Sequence, residues 1–120
     1  MTCSVNRESN RISPVNQKVS YIITPRHILE VVCQHFHVGI DVIRSENRDK
    51  EIVVPRQIVM YLCSKYSGKT IEEIGRYLGR DHSAVLYGIS KLEEELKSDE
   101  YITRSVEIIT KKLGLNTIQV

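Results

Sequence analysis

Two helical segments meet at a single glycine within the stretch TIEEIGRYLGRDHSAVLYGI, which runs from Thr70 to Ile89. Thr70 is a good N-cap for the first segment, and Gly79 suits the left-handed backbone conformation that ends a helix. The second segment begins around Asp81, and its apolar residues recur at helical intervals. Because the connection is so short, the stretch predicts two adjacent helices joined by a tight turn.

Further helical periodicity surrounds this pair, whereas strand signals are weak throughout. The other expected helices are, in chain order, one from the N-cap Thr24 to His37 or Gly39, one that Pro55 opens and Gly68 ends, and one from Ser98 or Asp99 to Leu113. A charged loop carrying Arg44, Arg48 and Lys50 lies between the first two of these. We therefore predict an all-α fold, a compact helical bundle.

A chain of 120 residues with 41% hydrophobic content can bury one core, which we place in residues 24–114. Residues 1–23 are mostly polar and are expected to form a flexible N-terminal arm, with residues 115–120 as a short tail. No apolar run approaches the roughly 20 residues that cross a bilayer, and the first residues lack a secretory core. We expect a soluble, intracellular protein. The net charge of +2 does not identify a partner.

The paired segments have the pattern of a helix-turn-helix, in which a short helix supports a second one that enters the major groove of DNA. Gly75 is small where the two helices approach closely, and Val85 and Ile89 face the core. Helical spacing leaves the residues from Asp81 to Ala84 at the exposed start of the second helix, the end that contacts bases in such proteins. The alternative is that Asp81 or Ser83 merely caps the helix, and one carboxylate can do both.

Asp81, His82 and Ser83 also contain the residue types of a catalytic triad. Neighbours on one helical turn point in different directions, however, and triads are assembled from distant segments. The three cysteines, Cys3, Cys33 and Cys63, lack metal-binding spacing, and His35 and His37 diverge on a helix. We therefore expect no enzyme activity, cofactor or metal, and interpret Cys33 and Cys63 as core residues.

The segment GRDHSAVLYGISKLE closely resembles the signature GRDHTTV of the carboxy-terminal DNA-binding domain of the bacterial replication initiator DnaA. PRQIVMYLC and EEIG extend the similarity, which covers roughly Ile23 to Gly114 in unbroken order. The resemblance implies a Trp-repressor-like helical bundle that binds double-stranded DNA as a monomer. It also implies a bacterial, cytoplasmic and nucleoid-associated protein.

The resemblance further implies which residues contact a DnaA box. Asp81, His82 and Ser83 would contact bases in the major groove, and Arg48 would enter the neighbouring minor groove, consistent with their hydrogen-bonding chemistry. Contacts to phosphates are expected from Lys50, Arg56, Gln57, Lys65, Lys69, Thr70, Ile71 and Ala84. For any single lysine or arginine, an ordinary solvated surface position is the alternative.

Some positions depart from the family pattern. Ser83 and Ala84 replace two threonines, which removes a methyl group and a hydroxyl group and predicts weaker or altered specificity. The loop also contains Glu46, Asp49 and Glu51, so we expect fewer phosphate contacts and a shallower salt dependence.

The chain contains no Gly-x-x-x-x-Gly-Lys-Ser/Thr phosphate loop. We therefore expect no nucleotide binding and no ATPase module, and the sequence fits either an excised piece of a full initiator or a standalone regulatory homologue. The alternative function is a protein-interaction module or transcriptional regulator that has kept the fold without the specificity. Such a module would use the exposed end of the last helix, with Arg104, Lys111 and Lys112.

Overall fold

The computed structural model describes residues 23–114, which contain six helices and no strand. The helices are α1 (Pro25–Phe36), α2 (Ile40–Ile43), α3 (Lys50–Tyr66), α4 (Ile71–Leu78), α5 (His82–Ser98) and α6 (Glu100–Lys112). The all-α prediction is confirmed. Nearly all of the predicted arm, residues 1–22, and the whole predicted tail, residues 115–120, lie outside the described residues. Within residues 23–114, every helix is too short or too polar to span a bilayer.

Helix α3 lies at the centre of the bundle. It contacts α1, α2, α4 and α5, while α6 packs against α5 and α1. Ile58, Val59 and Leu62 of α3 are completely buried. Cys33 and Cys63 are free thiols in the same core, as the sequence predicted, and burial raises the pKa of Cys63 to about 12.

Helices α4 and α5 form the predicted pair of adjacent helices. A capping box begins α4: the Thr70 hydroxyl accepts from the Glu73 N–H at 3.1 Å, and a Glu73 carboxylate oxygen accepts from the Thr70 N–H at 2.9 Å. Gly79 ends α4 with φ of 72°, a conformation that favours glycine. A Cβ atom on Gly75 would collide with the Arg80 carbonyl oxygen. The expected need for a small residue at this close approach is confirmed.

The start of α3 was predicted incorrectly. The helix begins at Lys50 rather than at Pro55, so Lys50 is helical and Pro55 lies inside the helix. Pro55 is the sixth residue of α3, so it lacks the N–H that would otherwise donate to the Glu51 carbonyl oxygen. The extra turn also packs Ile52 and Val54 against the core, which offsets the missing bond.

Helix α2 was not predicted as a helix. The sequence indicated only an apolar cluster at Ile40, Val42 and Ile43, because one helical turn is too short to show periodicity. Ile43 is completely buried, and α2 contacts α1 and α3. Burial of this residue fixes the point from which the charged loop begins.

Candidate nucleic-acid interface

The loop between α2 and α3, residues 44–49, carries Arg48 and is shaped by its own polar side chains. The Ser45 hydroxyl donates to the Val42 carbonyl oxygen at 2.6 Å and accepts from the Asn47 N–H at 3.2 Å. The Asn47 side-chain oxygen accepts from the Asp49 N–H at 2.7 Å. Such local bonds hold turns in a defined conformation. Arg48 itself is exposed to solvent.

Arg56 lies beneath this loop and is only 5% exposed. Its guanidinium donates to the carbonyl oxygens of Ile43 at 2.7 Å, Asn47 at 2.9 Å and Ser45 at 3.1 Å. Burial lowers the pKa of Arg56, and the positive charge of Arg80 lowers it further. Arg56 is expected to contact phosphate, and in the structure its hydrogen bonds hold the loop onto α3.

The first turn of α5 exposes the residues that were expected to contact bases. Asp81 is the N-cap, and one of its carboxylate oxygens accepts from the Ala84 N–H at 2.8 Å. The capping interpretation of Asp81 is therefore confirmed, and its second oxygen leaves room for another partner. Asp81, His82 and Ser83 are all exposed, while Val85 anchors the turn in the core.

An open cleft of about 440 Å³ separates the Arg48 loop from the start of α5. Its lining combines residues from the loop, α3, the turn and α5: Glu46, Arg48, Val53, Arg56, Gln57, Met60, Gly79, Arg80, Ala84, Tyr87 and Gly88. Four of the residues expected to contact DNA thus border one space, namely Arg48, Arg56, Gln57 and Ala84. The lining also carries three guanidinium groups against one carboxylate, that of Glu46, and this excess of positive charge favours an anionic ligand.

Two side chains of the cleft that can donate hydrogen bonds, those of Arg80 and Tyr87, were not among the predicted contacts. Tyr87 is 66% exposed and follows Ala84 by one helical turn, a spacing from which it could have been identified. Arg80 lies directly after the turn glycine, Gly79. Its guanidinium donates to the carbonyl oxygens of Ser45 and Leu78, so it serves the loop as well as the turn.

Four of the other predicted phosphate contacts lie at the end of α3 and the start of α4. Lys65 is exposed and lies over the Tyr61 ring, with its ammonium nitrogen 5.4 Å from the ring centroid. Lys69 is also exposed, whereas the Thr70 N–H is already donated to Glu73. Ile71 follows at the first position of α4, and Lys50 lies apart from them in the first turn of α3.

The carboxylates at the start of α4 modify what this end can bind. Glu72 and Glu73 occupy its first turn, and the hydrogen bond with Thr70 lowers the pKa of Glu73. An ionised carboxylate there stabilises the helix by interacting with its dipole, but it repels a phosphate group. Lys65 and Lys69 are therefore better placed to contact phosphate than the Thr70 amide.

The histidines of α1 lie outside this interface. The His35 ring packs edge-on against Phe36, with the ring centroids 4.7 Å apart. Burial lowers the pKa of His35, and the positive charge of Lys112 adds to the effect. Among residues 23–114, no group of three or more His, Cys, Asp or Glu side chains is arranged to hold a metal ion.

Comparison with known proteins matches residues 25–92 to the family described as the bacterial DnaA protein helix-turn-helix. The chain is 41% identical over 104 residues to the chromosomal replication initiator protein DnaA of Lachnoclostridium phytofermentans, covering 86% of this chain and 22% of that protein. It is 45% identical over 92 residues to the DnaA protein of Thermomicrobium roseum, covering 76% and 20% of the two chains. The corresponding protein of Deinococcus deserti is 39% identical over 105 residues, with 88% and 22% covered. This chain thus spans about a fifth of the length of these relatives.

Proposed function

Because the chain belongs to the bacterial DnaA helix-turn-helix family, we propose that it binds double-stranded DNA sequence-specifically at a site resembling the DnaA box. The single observation that supports this most strongly is the shared cleft, which is lined by Arg48 and by Ala84 and Tyr87 from the first two turns of α5, directly after the exposed residues Asp81, His82 and Ser83. Each element suits a groove of the duplex, the helix the major and the exposed guanidinium the minor.

The cleft has the chemistry that this arrangement requires. Neighbouring major and minor grooves of a duplex are separated by one sugar–phosphate strand. A protein that enters both grooves must therefore accommodate that strand between its two reading elements. Arg48, Arg56 and Arg80 outnumber the single carboxylate of Glu46, so the lining is positively charged. The Gln57 amide and the Tyr87 hydroxyl add hydrogen-bond donors.

In the proposed complex, the exposed first turn of α5 reads bases. The free oxygen of Asp81 accepts from a cytosine amino group, while His82 and Ser83 hydrogen-bond to neighbouring base edges. Arg48 enters a narrow A·T minor groove, where the negative potential is strongest. Each good contact of this kind contributes about 1–3 kcal/mol of discrimination.

The remaining contacts set the register on the sugar–phosphate backbone. Gln57, Ala84 and Tyr87 would lie closest to the strand in the cleft, and Lys65 and Lys69 would reach it further along. Lys50 and the Ile71 amide complete the proposed set, and the Thr70 hydroxyl proton can still be donated. Arg56 supports this surface from below through its charge and its bonds to the loop.

We further propose that the activity of these 120 residues is occupation of the site, as a DnaA-related protein in replication initiation or its regulation. The relatives that it matches are named chromosomal replication initiators. The chain itself contains no phosphate-loop motif, so ATP-driven steps are not proposed for it. One molecule per site is expected, because the loop and α5 of a single chain supply both reading elements.

Fluorescence anisotropy with a duplex carrying a DnaA box and a scrambled duplex tests the proposal. We expect tighter binding to the box, and a loss of that preference in Arg48→Ala and in His82→Ala. Arg104→Ala is the matched control, because Arg104 is an exposed arginine of α6 outside the cleft. Equal binding of the two duplexes would contradict sequence-specific recognition and favour the protein-interaction alternative.

A further inference from the structure

One carbonyl oxygen of the Arg48 loop is held by two arginines. The Ser45 carbonyl oxygen accepts a hydrogen bond from Arg56, at 3.1 Å, and a second from Arg80. Arg56 belongs to α3, whereas Arg80 belongs to the turn between α4 and α5. Ser45 therefore joins the loop both to the central helix and to the helix-turn-helix.

The two arginines do different things for the loop. Arg56 donates to Ile43, Ser45 and Asn47, so its bonds hold the loop against α3. Arg80 instead spans a gap, because its guanidinium donates to Ser45 on one side and to Leu78, at 3.2 Å, on the other. Leu78 is the last residue of α4, one turn before α5 begins.

Backbone bonds and a helix cap hold the turn between α4 and α5 in a defined conformation, so the Arg80 side chain can relate the position of the loop to that of α5. The Arg80 N–H donates to the Gly75 carbonyl oxygen at 2.7 Å, and Gly79 ends α4 in the left-handed conformation. Asp81 then caps α5 directly after Arg80. The backbone of Arg80 is thus hydrogen-bonded to α4 and directly precedes the cap of α5, while its side chain reaches the loop.

From this geometry we propose that Arg80 is a positioning residue for DNA binding, whose guanidinium sets the separation between Arg48 and the first turn of α5. The inference rests on the proposed function, since that separation matters only if both elements enter one duplex. An element ordered before binding avoids the entropy cost of ordering it in the complex. Without Arg80, Arg48 would remain on a loop tied only to α3, and its contribution to selectivity would fall.

A plain phosphate contact by Arg80 and a purely structural role are the alternatives. Arg80→Lys separates the first from positioning, because lysine keeps the charge but lacks the planar fork that spans Ser45 and Leu78. Arg80→Gln removes both the charge and the fork. A double-mutant cycle with Arg48→Ala measures whether the two residues act together.

Dissociation constants are measured on the DnaA-box duplex and the scrambled duplex for the four proteins of the cycle. We expect Arg48→Ala alone to lower the preference for the box roughly tenfold, and to lower it less than about twofold in the Arg80→Gln background. Arg80→Lys should resemble Arg80→Gln. Independent effects of the two substitutions, or near-normal selectivity of Arg80→Lys, would overturn the inference. Arg104→Gln, which removes an arginine outside the cleft, should leave the effect of Arg48→Ala unchanged.

Amide hydrogen exchange of the free protein gives a second readout that needs no DNA. In Arg80→Gln and Arg80→Lys, the Asn47 and Asp49 amides, which are bonded within the loop, should exchange at least several-fold faster, with the α1 and α3 amides unchanged. Unchanged loop exchange would contradict positioning, and faster exchange throughout would indicate a structural role instead. If the unmodified protein lacks any preference for the box, the proposed function fails; if that preference exists and the cycle is additive, this inference alone fails.

Discussion

Arg48 and Tyr87 line the same cleft, Arg48 from the loop before α3 and Tyr87 from the second turn of α5. A DNA strand in the cleft would meet a guanidinium on one wall and a phenol on the other. The guanidinium is the proposed reader of a groove, whereas the phenol hydroxyl is suited to a phosphate oxygen. Base contacts and backbone contacts can therefore be separated by changing single groups.

Tyr87→Phe removes only the hydroxyl group. We expect it to weaken binding to the box and to the scrambled duplex by the same amount, about 0.5–1.5 kcal/mol, because a phosphate contact carries no sequence information. Anisotropy titrations on both duplexes measure this. Tyr101→Phe is the control, since Tyr101 is 67% exposed on α6, outside the cleft. A change in preference between the duplexes would show that Tyr87 contacts a base instead.

Asp81 combines a helix cap with a proposed base contact, and two substitutions separate these roles. Asp81→Asn should preserve thermal stability, because asparagine caps as well as aspartate, yet it should lose about 1–3 kcal/mol of box preference. Asp81→Ala should lose that preference and also about 1 kcal/mol of unfolding free energy. Thermal melts and anisotropy measure the two effects. Normal selectivity in Asp81→Asn would remove the carboxylate from the proposed base contacts.

Lys65 and Lys69 are tested by the salt dependence of binding. Replacing either lysine with alanine should reduce the slope of the logarithm of the binding constant against the logarithm of the salt concentration by about 0.9. It should also weaken binding to both duplexes equally. Titrations at several ionic strengths give the slope. Lys97→Ala, in the last turn of α5, should leave it unchanged. An unaltered slope in Lys65→Ala or Lys69→Ala would show that the replaced lysine does not contact phosphate and is an ordinary solvated surface residue.

Gly75 tests the close approach of α4 to the turn. Gly75→Ala places a methyl group against the Arg80 carbonyl oxygen and 3.3 Å from a Val85 methyl, so we expect a loss of about 1–3 kcal/mol in unfolding free energy. Gly39→Ala is the matched control, because its Cβ would meet only Val42, at 3.8 Å, and should cost less than about 0.5 kcal/mol. Chemical denaturation measures both. Equal stability of the two variants would contradict a tightly packed turn.

Local chemistry made much of the fold predictable. Thr70 and Asp81 bond to backbone groups only three residues away, and Gly79 ends a helix through its own backbone conformation. The sequence therefore contains nearly everything that fixes α4, the turn and the beginning of α5. Pro55 shows the limit of such reasoning, because packing of the preceding turn against the core carries α3 past the usual boundary.

The amino-acid sequence by itself thus determined the helical pair, its caps and the exposed residues of the reading turn. The tertiary structure alone decided which distant groups share the cleft: Arg56 is buried beneath the loop, Arg80 reaches Ser45, and Tyr87 faces the space beside Arg48. Caps and helical periods act over a few residues, so they can be identified along the chain. A carbonyl held by two arginines depends on how α3 and the helix pair pack, and no spacing within a single segment encodes that contact.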